Sequence, residues 1–312
     1  MPAIEIQGLE KIYRTGFFGN KAQRGLMPLT LSIDEGEVFG CLGPNGAGKT
    51  TTLKLLLGLV FPSGGTARIL GRPLGDIPIK RLVGYLPEQP YFYDYLTALE
   101  LLDYYARLSG VDGRERKRKV ETALSRVGMS DSGRTQLRKF SKGMLQRVGI
   151  AQAIVHDPKL LLLDEPMSGL DPVGRREVRD LMQQLNEEGK TVFFSTHILG
   201  DAETLCDRVA VLHKGELRGV GVVADLLREQ RGEVEVVFSG APAVADLSAL
   251  GALCHATGDV VRALLPERSL EAVLAALRKS QARLISVTPV RATLEDYFLE
   301  RVGEDKPNEV KA

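Results

Sequence analysis

The chain has 312 residues, a formal net charge of +1, 44% hydrophobic and 26% charged residues, the balance of an ordinary globular protein with room for two domains. A charge this close to zero excludes a global basic field for nucleic acid or an anionic membrane surface, and no run approaches the roughly 18 apolar residues of a membrane span. Three widely spaced cysteines, Cys41, Cys206 and Cys254, form no metal-ligand or disulfide pattern, and the acidic start MPAIEIQGLE has no basic-then-apolar leader, so a reducing, cytoplasmic setting is expected.

Residues Ile4 to Leu9 alternate apolar and polar and read as a strand. A glycine- and aromatic-containing loop from Thr15 to Gly25 leads to a second alternating strand, Leu29 to Ile33. Asp34 to Glu37 turns the chain into an apolar run, Val38 to Leu42, that ends at Gly43. Beyond Thr50 the residues Leu53, Leu56, Leu57 and Val60 recur at helical spacing. Between strand and helix stands Gly43-Pro44-Asn45-Gly46-Ala47-Gly48-Lys49-Thr50, followed by Thr51, a full match to the phosphate-loop pattern GxxxxGK[ST]. Glycines let backbone N–H groups curl around phosphate oxygens, and the helix that starts here aims its positive end at the same anion. Lys49 is placed to reach the β- and γ-phosphates and Thr50 to ligate Mg²⁺. This stretch predicts binding of a nucleoside triphosphate. Short strands around Ala67 to Leu70 and Val83 to Leu86 follow, the second running into Pro87-Glu88-Gln89-Pro90.

From about Pro90 to Val155 the pattern is helical. Thr97 and Glu100 form a capping box ahead of Leu101, Leu102, Tyr105 and Leu108. The basic run Arg114 to Lys119 reads as a solvated helix face leading into Val120, Leu124 and Val127. Phe140-Ser141-Lys142-Gly143-Met144 opens a third helix, to about Val155. Alternation of strands and helices then resumes. Leu160 to Leu163 is an apolar strand ending in Asp164-Glu165, Val173 to Glu188 a helix, Thr191 to Ser195 a strand and Leu199 to Cys206 a helix. Val209 to His213 and Gly215 to Val220 read as a hairpin.

Past about Gln230 a small α+β domain is expected over 231–302, with a ferredoxin-like alternation: strands at Val234 to Phe238, Leu253 to Ala256, Val260 to Leu265 and Leu284 to Val287, and helices at Val244 to Leu250, Ser269 to Arg278 and Leu294 to Val302. It carries no recognisable chemistry. Residues 303–312 are polar and read as a disordered tail.

A phosphate loop alone fits kinases, GTPases and transport or motor ATPases alike. Asp164 at the end of its apolar strand is suited to hold Mg²⁺ or its water ligands, and Glu165 is placed where a carboxylate polarises water against a γ-phosphate. With these motifs in order, residues Ile4 to Leu227 resemble the ATP-binding subunits of ABC transporters. The resemblance implies an α/β fold, with a phosphate-loop ATPase core over 1–230, a mixed sheet and a helical subdomain over about 90–155. It implies that Tyr13 stacks on adenine, that Gln89 reaches Mg²⁺, and that Ser141 and Gly143 of the signature contact a γ-phosphate. It places Asp171, in Ser168-Gly169-Leu170-Asp171, at a dimer interface and His197 against the γ-phosphate, with Glu165, His197 and Lys49 as the catalytic set. His156, His213 and His255 have no such placement and read as structural. The signature departs from the common LSGGQ: Lys142 replaces a glycine and Met144 the glutamine, a form similar to the subgroup with ABC-2 exporter partners, as is the segment Thr293 to Phe298.

The implied partners are a second ATPase subunit, as a homodimer, and a separate transmembrane permease at the cytoplasmic face of the membrane, with ATP and Mg²⁺ bound and no direct nucleic acid contact. The rival from another class is a soluble ABC-type ATPase acting on nucleic acid or ribosomes. Such proteins carry long coiled coils between their nucleotide motifs, or two cassettes in one chain; here a modest helical block and one cassette stand instead. A kinase or GTPase, and a module that binds ATP without turnover, are the remaining alternatives.

Overall fold

The structure is a computed structural model that describes residues 1–15, 21–228, 230–240, 247–291 and 293–303. It divides into two compact units, Met1–Val223 with the described residues from Phe298 onward, and Ala224–Tyr297.

The first unit is built on two sheets. In the first, β1 (Pro2–Thr15), β2 (Lys21–Asp34), β4 (Gly64–Ile69) and β5 (Arg72–Pro73) lie in the order β2-β1-β4-β5, all antiparallel. The second is six-stranded, ordered β10-β9-β3-β8-β7-β6, from β3 (Val38–Leu42), β6 (Val83–Leu86), β7 (Leu160–Asp164), β8 (Thr191–Thr196), β9 (Arg208–His213) and β10 (Glu216–Val222). Only β10 runs antiparallel to its neighbour; the rest form a parallel ladder. Every residue of β3 and β7 is buried, so these strands read as unbroken apolar runs.

Helix α1 (Lys49–Leu56) lies between the two sheets, with Leu53, Leu55 and Leu56 in one core cluster alongside Ile4, Leu31, Phe39 and Phe193. Burying each of these leucines contributes roughly 1.5–3 kcal/mol, which pins the start of the helix and the loop before it. Helix α1 ends at Leu56, four residues before the predicted limit, because the chain turns at Gly58; Leu57 and Val60 still pack against the cluster from that turn.

The helical block holds α2 (Ala98–Leu108), α3 (Gly113–Arg126) and α4 (Lys142–Ile154). The capping box is formed: Thr97 Oγ1 accepts from the N–H of Glu100, whose carboxylate accepts from the N–H of Thr97. Helices α5 (Pro172–Glu187) and α6 (Leu199–Leu205) belong to the parallel α/β part.

One expectation is corrected in the first hairpin. Lys21 to Gly25, read as loop, are strand, and Tyr13 pairs with Gln23. Ala22, Gln23 and Arg24 are exposed, so no apolar alternation marks the segment. The intervening residues 16–20 lie outside the described residues.

The second unit carries a four-stranded antiparallel sheet, ordered β12-β13-β11-β14, from β11 (Gln230–Ser239), β12 (Leu253–Thr257), β13 (Val260–Pro266) and β14 (Arg283–Arg291). Helix α8 (Leu270–Lys279), counting an α7 at Val223–Arg228, packs Val273 and Leu277 on a core with Val236, Phe238 and Ala263. Helix α9 (Leu294–Gly303) is the last described element. Part of the helix predicted at Val244 to Leu250, and residues 304–312 of the predicted tail, lie outside the described residues.

Candidate active site

The C-terminal ends of β3, β7 and β8 converge, which is where open α/β sheets hold ligands. From β3 the chain enters the phosphate loop; Gly48 has φ +105°, a left-handed value that places the next N–H groups at the mouth of α1, and an added Cβ there would meet the Gly25 carbonyl at 3.0 Å. A cavity of about 600 Å³ opens over the loop, lined by Tyr13, Gln23, Arg24 and Gly25 on one side, by Pro44 through Thr51 beneath, and by Glu88 and Glu165. Gly43 lies at the strand end below it.

Lys49 is buried, and its ammonium donates to the carbonyls of Gly43 at 2.6 Å and Pro44 at 3.3 Å while sitting 3.2 Å from Glu165 Oε1. Glu165 Oε2 lies 2.9 Å from His197 Nδ1, so one carboxylate joins the lysine of the loop to the histidine beyond β8. Glu165 Oε1 accepts no hydrogen bond among the described residues. The backbone of Glu165 is left-handed, φ +50°, a strain of order 1–3 kcal/mol for a side chain of this type. Its N–H is held by Ser195, donating to the hydroxyl at 2.9 Å and the carbonyl at 3.2 Å.

Asp164 carries the second carboxylate. Its Oδ1 accepts from Ser195 Oγ at 2.6 Å and Thr50 Oγ1 at 3.1 Å, whereas Oδ2 is buried with no partner. Burial pushes its pKa up, opposed by the two hydroxyl donors and by Lys49, with neighbouring Glu165 adding to the rise. A buried carboxylate oxygen left without a donor, beside a threonine hydroxyl, fits a hard divalent cation whose remaining ligands are water and phosphate. No group of three or more His, Cys, Asp or Glu that could hold a metal ion is found among the described residues. Cys41 beneath the loop is inert chemistry: burial takes its thiol up to about 12.

Tyr13 packs its ring over Gly25, stands 5.3 Å from the Lys11 ammonium, and its hydroxyl is 3.4 Å from Thr51 Oγ1. It forms an aromatic wall of the cavity. The other expected residues are not gathered there. Gln89 is exposed and its Oε1 accepts from Tyr91 Oη at 3.1 Å; Glu88, its neighbour, lines the cavity instead. Ser141 caps α4 by accepting from the N–H of Met144, Gly143 packs near Leu170, and Asp171 caps α5 by accepting from the N–H of Gly174 at 2.8 Å. None of the three lines the cavity. Of the other histidines, His156 bonds to the Val83 carbonyl at 3.2 Å, and burial lowers its pKa, which suits a structural part.

Two neighbours of the carboxylates were not singled out from the sequence. Ser195 was read only as a strand end, but β7 and β8 pair in parallel with Asp164 opposite Ser195, so strand adjacency alone puts its hydroxyl there. Gln146 stands two residues beyond Met144 with no motif of its own; it is buried and bonds to the turn that starts at Glu165.

A family profile described as ABC transporter matches residues 26–168. An ABC transporter ATP-binding protein of Synechocystis is 46% identical over 311 residues, 96% of this chain and 85% of the relative. The bacitracin transport ATP-binding protein of Enterococcus faecalis is 34% identical, across 96% of each chain. Among solved structures, a dimeric ATP-binding cassette bound to ADP and Pi in a post-hydrolysis state superposes with a TM-score of 0.66 at 27% identity, over 70% of this chain and 98% of that one.

Proposed function

The chain belongs to the ABC transporter family as an ATP-binding, ATP-hydrolysing subunit, and from that premise we propose that it works as half of a head-to-tail homodimer that drives export through a separate permease. The observation that carries the reading is the buried Lys49–Glu165 pair with His197 on its far side. Lys49 is held by two loop carbonyls and one carboxylate, all of them acceptors that a triphosphate oxygen can replace. When ATP draws the ammonium onto its phosphates, Glu165 Oε1 loses its counter-charge and becomes free to accept a proton from water. His197 stays hydrogen-bonded to Oε2 and turns the carboxylate toward the γ-phosphate. Thr50 and Asp164 would hold Mg²⁺, which when bound neutralises charge on the phosphate oxygens. Tyr13 offers its ring to adenine.

One chain supplies the loop and leaves Ser141, Gly143 and Asp171 outside its own cavity. In the pair, each of these faces the ATP of the other chain, so hydrolysis waits on closure. Gln89 links the site to the helical block, where a permease would sense the closure. The cassette dimer among the similar structures supports pairing of this kind, and relatives named as ATP-binding proteins of transporters support the permease. The same relatives weigh against the nucleic acid or ribosome alternative.

Glu165→Gln tests the reading. It should retain ATP binding, lose turnover by at least about a hundredfold and accumulate an ATP-bound dimer on size exclusion. Turnover at the wild-type rate would remove Glu165 from the mechanism and undo the assignment.

A further inference from the structure

Helix α4 begins with the signature, yet one of its faces is committed to the turn that follows the catalytic carboxylate of the same chain. Lys142 lays its aliphatic stem across Gly169, where an added Cβ would meet Lys142 Cε at 2.6 Å. Gly143 sits against the Leu170 side chain, and Arg147 ion-pairs with Glu177 on α5 at 2.6 Å. Gln146, one turn on from Lys142, is 3% exposed and donates its amide to the carbonyls of Pro166 at 3.0 Å and Glu165 at 3.3 Å. Both partners are carbonyls, so the amide nitrogen must be the atom that faces them.

The turn needs such a donor. Strand β7 ends at Asp164, and the left-handed backbone of Glu165 takes its carbonyl out of the ladder. Ser168 N–H donates to that carbonyl at 3.0 Å, but the Pro166 carbonyl depends on Gln146. A buried carbonyl without a donor is costly, so the turn keeps its shape only while α4 sits against it.

We propose that Gln146 is a positioning residue: it fixes the backbone that aims Glu165, and so passes the seating of the signature helix to the carboxylate of its own chain. The inference rests on the assignment of Glu165 as general base. When Ser141 and Gly143 close on the partner's ATP, the helix they begin is held in place, and Gln146 carries that restraint back to Glu165.

Gln146→Met keeps the length and helix preference of the side chain and removes both donated bonds; Gln146→Asn keeps the amide but shortens its reach. In the full chain both should lower kcat for ATP by about tenfold. The half-saturating concentration of a fluorescent ATP analogue should stay within about twofold, a split that general loss of structure would not produce. On a Glu165→Gln background, Gln146→Met should add less than about twofold to the loss, because its effect runs through that carboxylate. Unchanged kcat, equal weakening of binding and turnover, a full multiplicative loss on Glu165→Gln, or unfolding of both variants would each overturn the inference. A wild-type chain that binds and hydrolyses no ATP would instead remove the assignment of Glu165, and this inference with it.

Discussion

The two halves of the nucleotide chemistry are built in opposite ways. At the phosphate loop, Lys49 is buried, hydrogen-bonded and ion-paired, so its charge is answered within the chain. At the signature, Ser141 and Lys142 are exposed, the first turn of α4 holds no acid, and Lys142 has no ion-pair partner among the described residues. A cation at a helix N-terminus opposes the helix dipole, so that end is electrostatically incomplete as it stands. On the proposed function, one half is a receptor that must give up internal contacts to bind, and the other is a surface that gains contacts when an anion reaches it. On that reading, this difference gives binding to the loop and timing to the signature.

The largest effect should come from the receptor half. Lys49→Ala removes the ammonium buried in the cavity floor and leaves Glu165 paired with His197 among the described residues. ATP affinity should fall by about a hundredfold or more, read by titration with a fluorescent analogue. Retained affinity would show that the loop binds without the charge it buries.

A smaller and more selective effect should come from the signature. Ser141→Asp preserves the helix cap, since aspartate accepts the N-terminal N–H as well as serine does, and it turns a hydroxyl into an anion. The melting temperature and ATP affinity of the single chain should remain near wild type. Turnover should fall about tenfold or more as the carboxylate repels the partner's triphosphate, with loss of the ATP-bound dimer in the Glu165→Gln chain. Weakened binding to the single chain would show that Ser141 belongs to the receptor half after all.

The same contrast explains what was legible in the sequence. Gly43 to Thr50 could be read with its strand and helix because backbone conformation, charge and burial are all local there. Asp164 and Glu165 were legible because β7 is buried on both faces and ends abruptly in acids. Gln146 and Ser195 were not, because their roles depend on which strand or turn lies beside them, and nothing local marks a neighbour 19 or 30 residues away. The long arms of β1 and β2 escaped for another reason: with both faces of Ala22 to Arg24 in solvent there is no alternation to read. In the second unit the strands at Val234 and Val260 are legible from their buried alternation, whereas β14 extends beyond Leu284 to Val287 through Arg283, Thr288 and Pro289, which are exposed and carry no such period.

Gln89, flanked by Glu88 of the cavity and by Pro90 beside Gly149 of α4, yields the smallest expected effect. It is exposed, and its side-chain oxygen accepts from the hydroxyl of Tyr91, itself 89% exposed. If Gln89 reaches Mg²⁺ as the resemblance implies, that oxygen is the one the ion would need, and Tyr91 would compete for it. An exposed neutral hydrogen bond contributes at most about 1 kcal/mol, which sets the scale at roughly twofold to fivefold. Tyr91→Phe deletes the hydroxyl and nothing that packs; the ring of Tyr91 has no core to disturb. The Mg²⁺ concentration for half-maximal binding of a nucleotide analogue should therefore fall by about twofold. Gln89→Ala should abolish the difference between the tyrosine and phenylalanine chains, because the hydroxyl then has nothing to hold. If Tyr91→Phe leaves the Mg²⁺ dependence unchanged, Gln89 is kept out of the cavity by the path of the backbone after β6, and it belongs wholly with the signature side, waiting on closure.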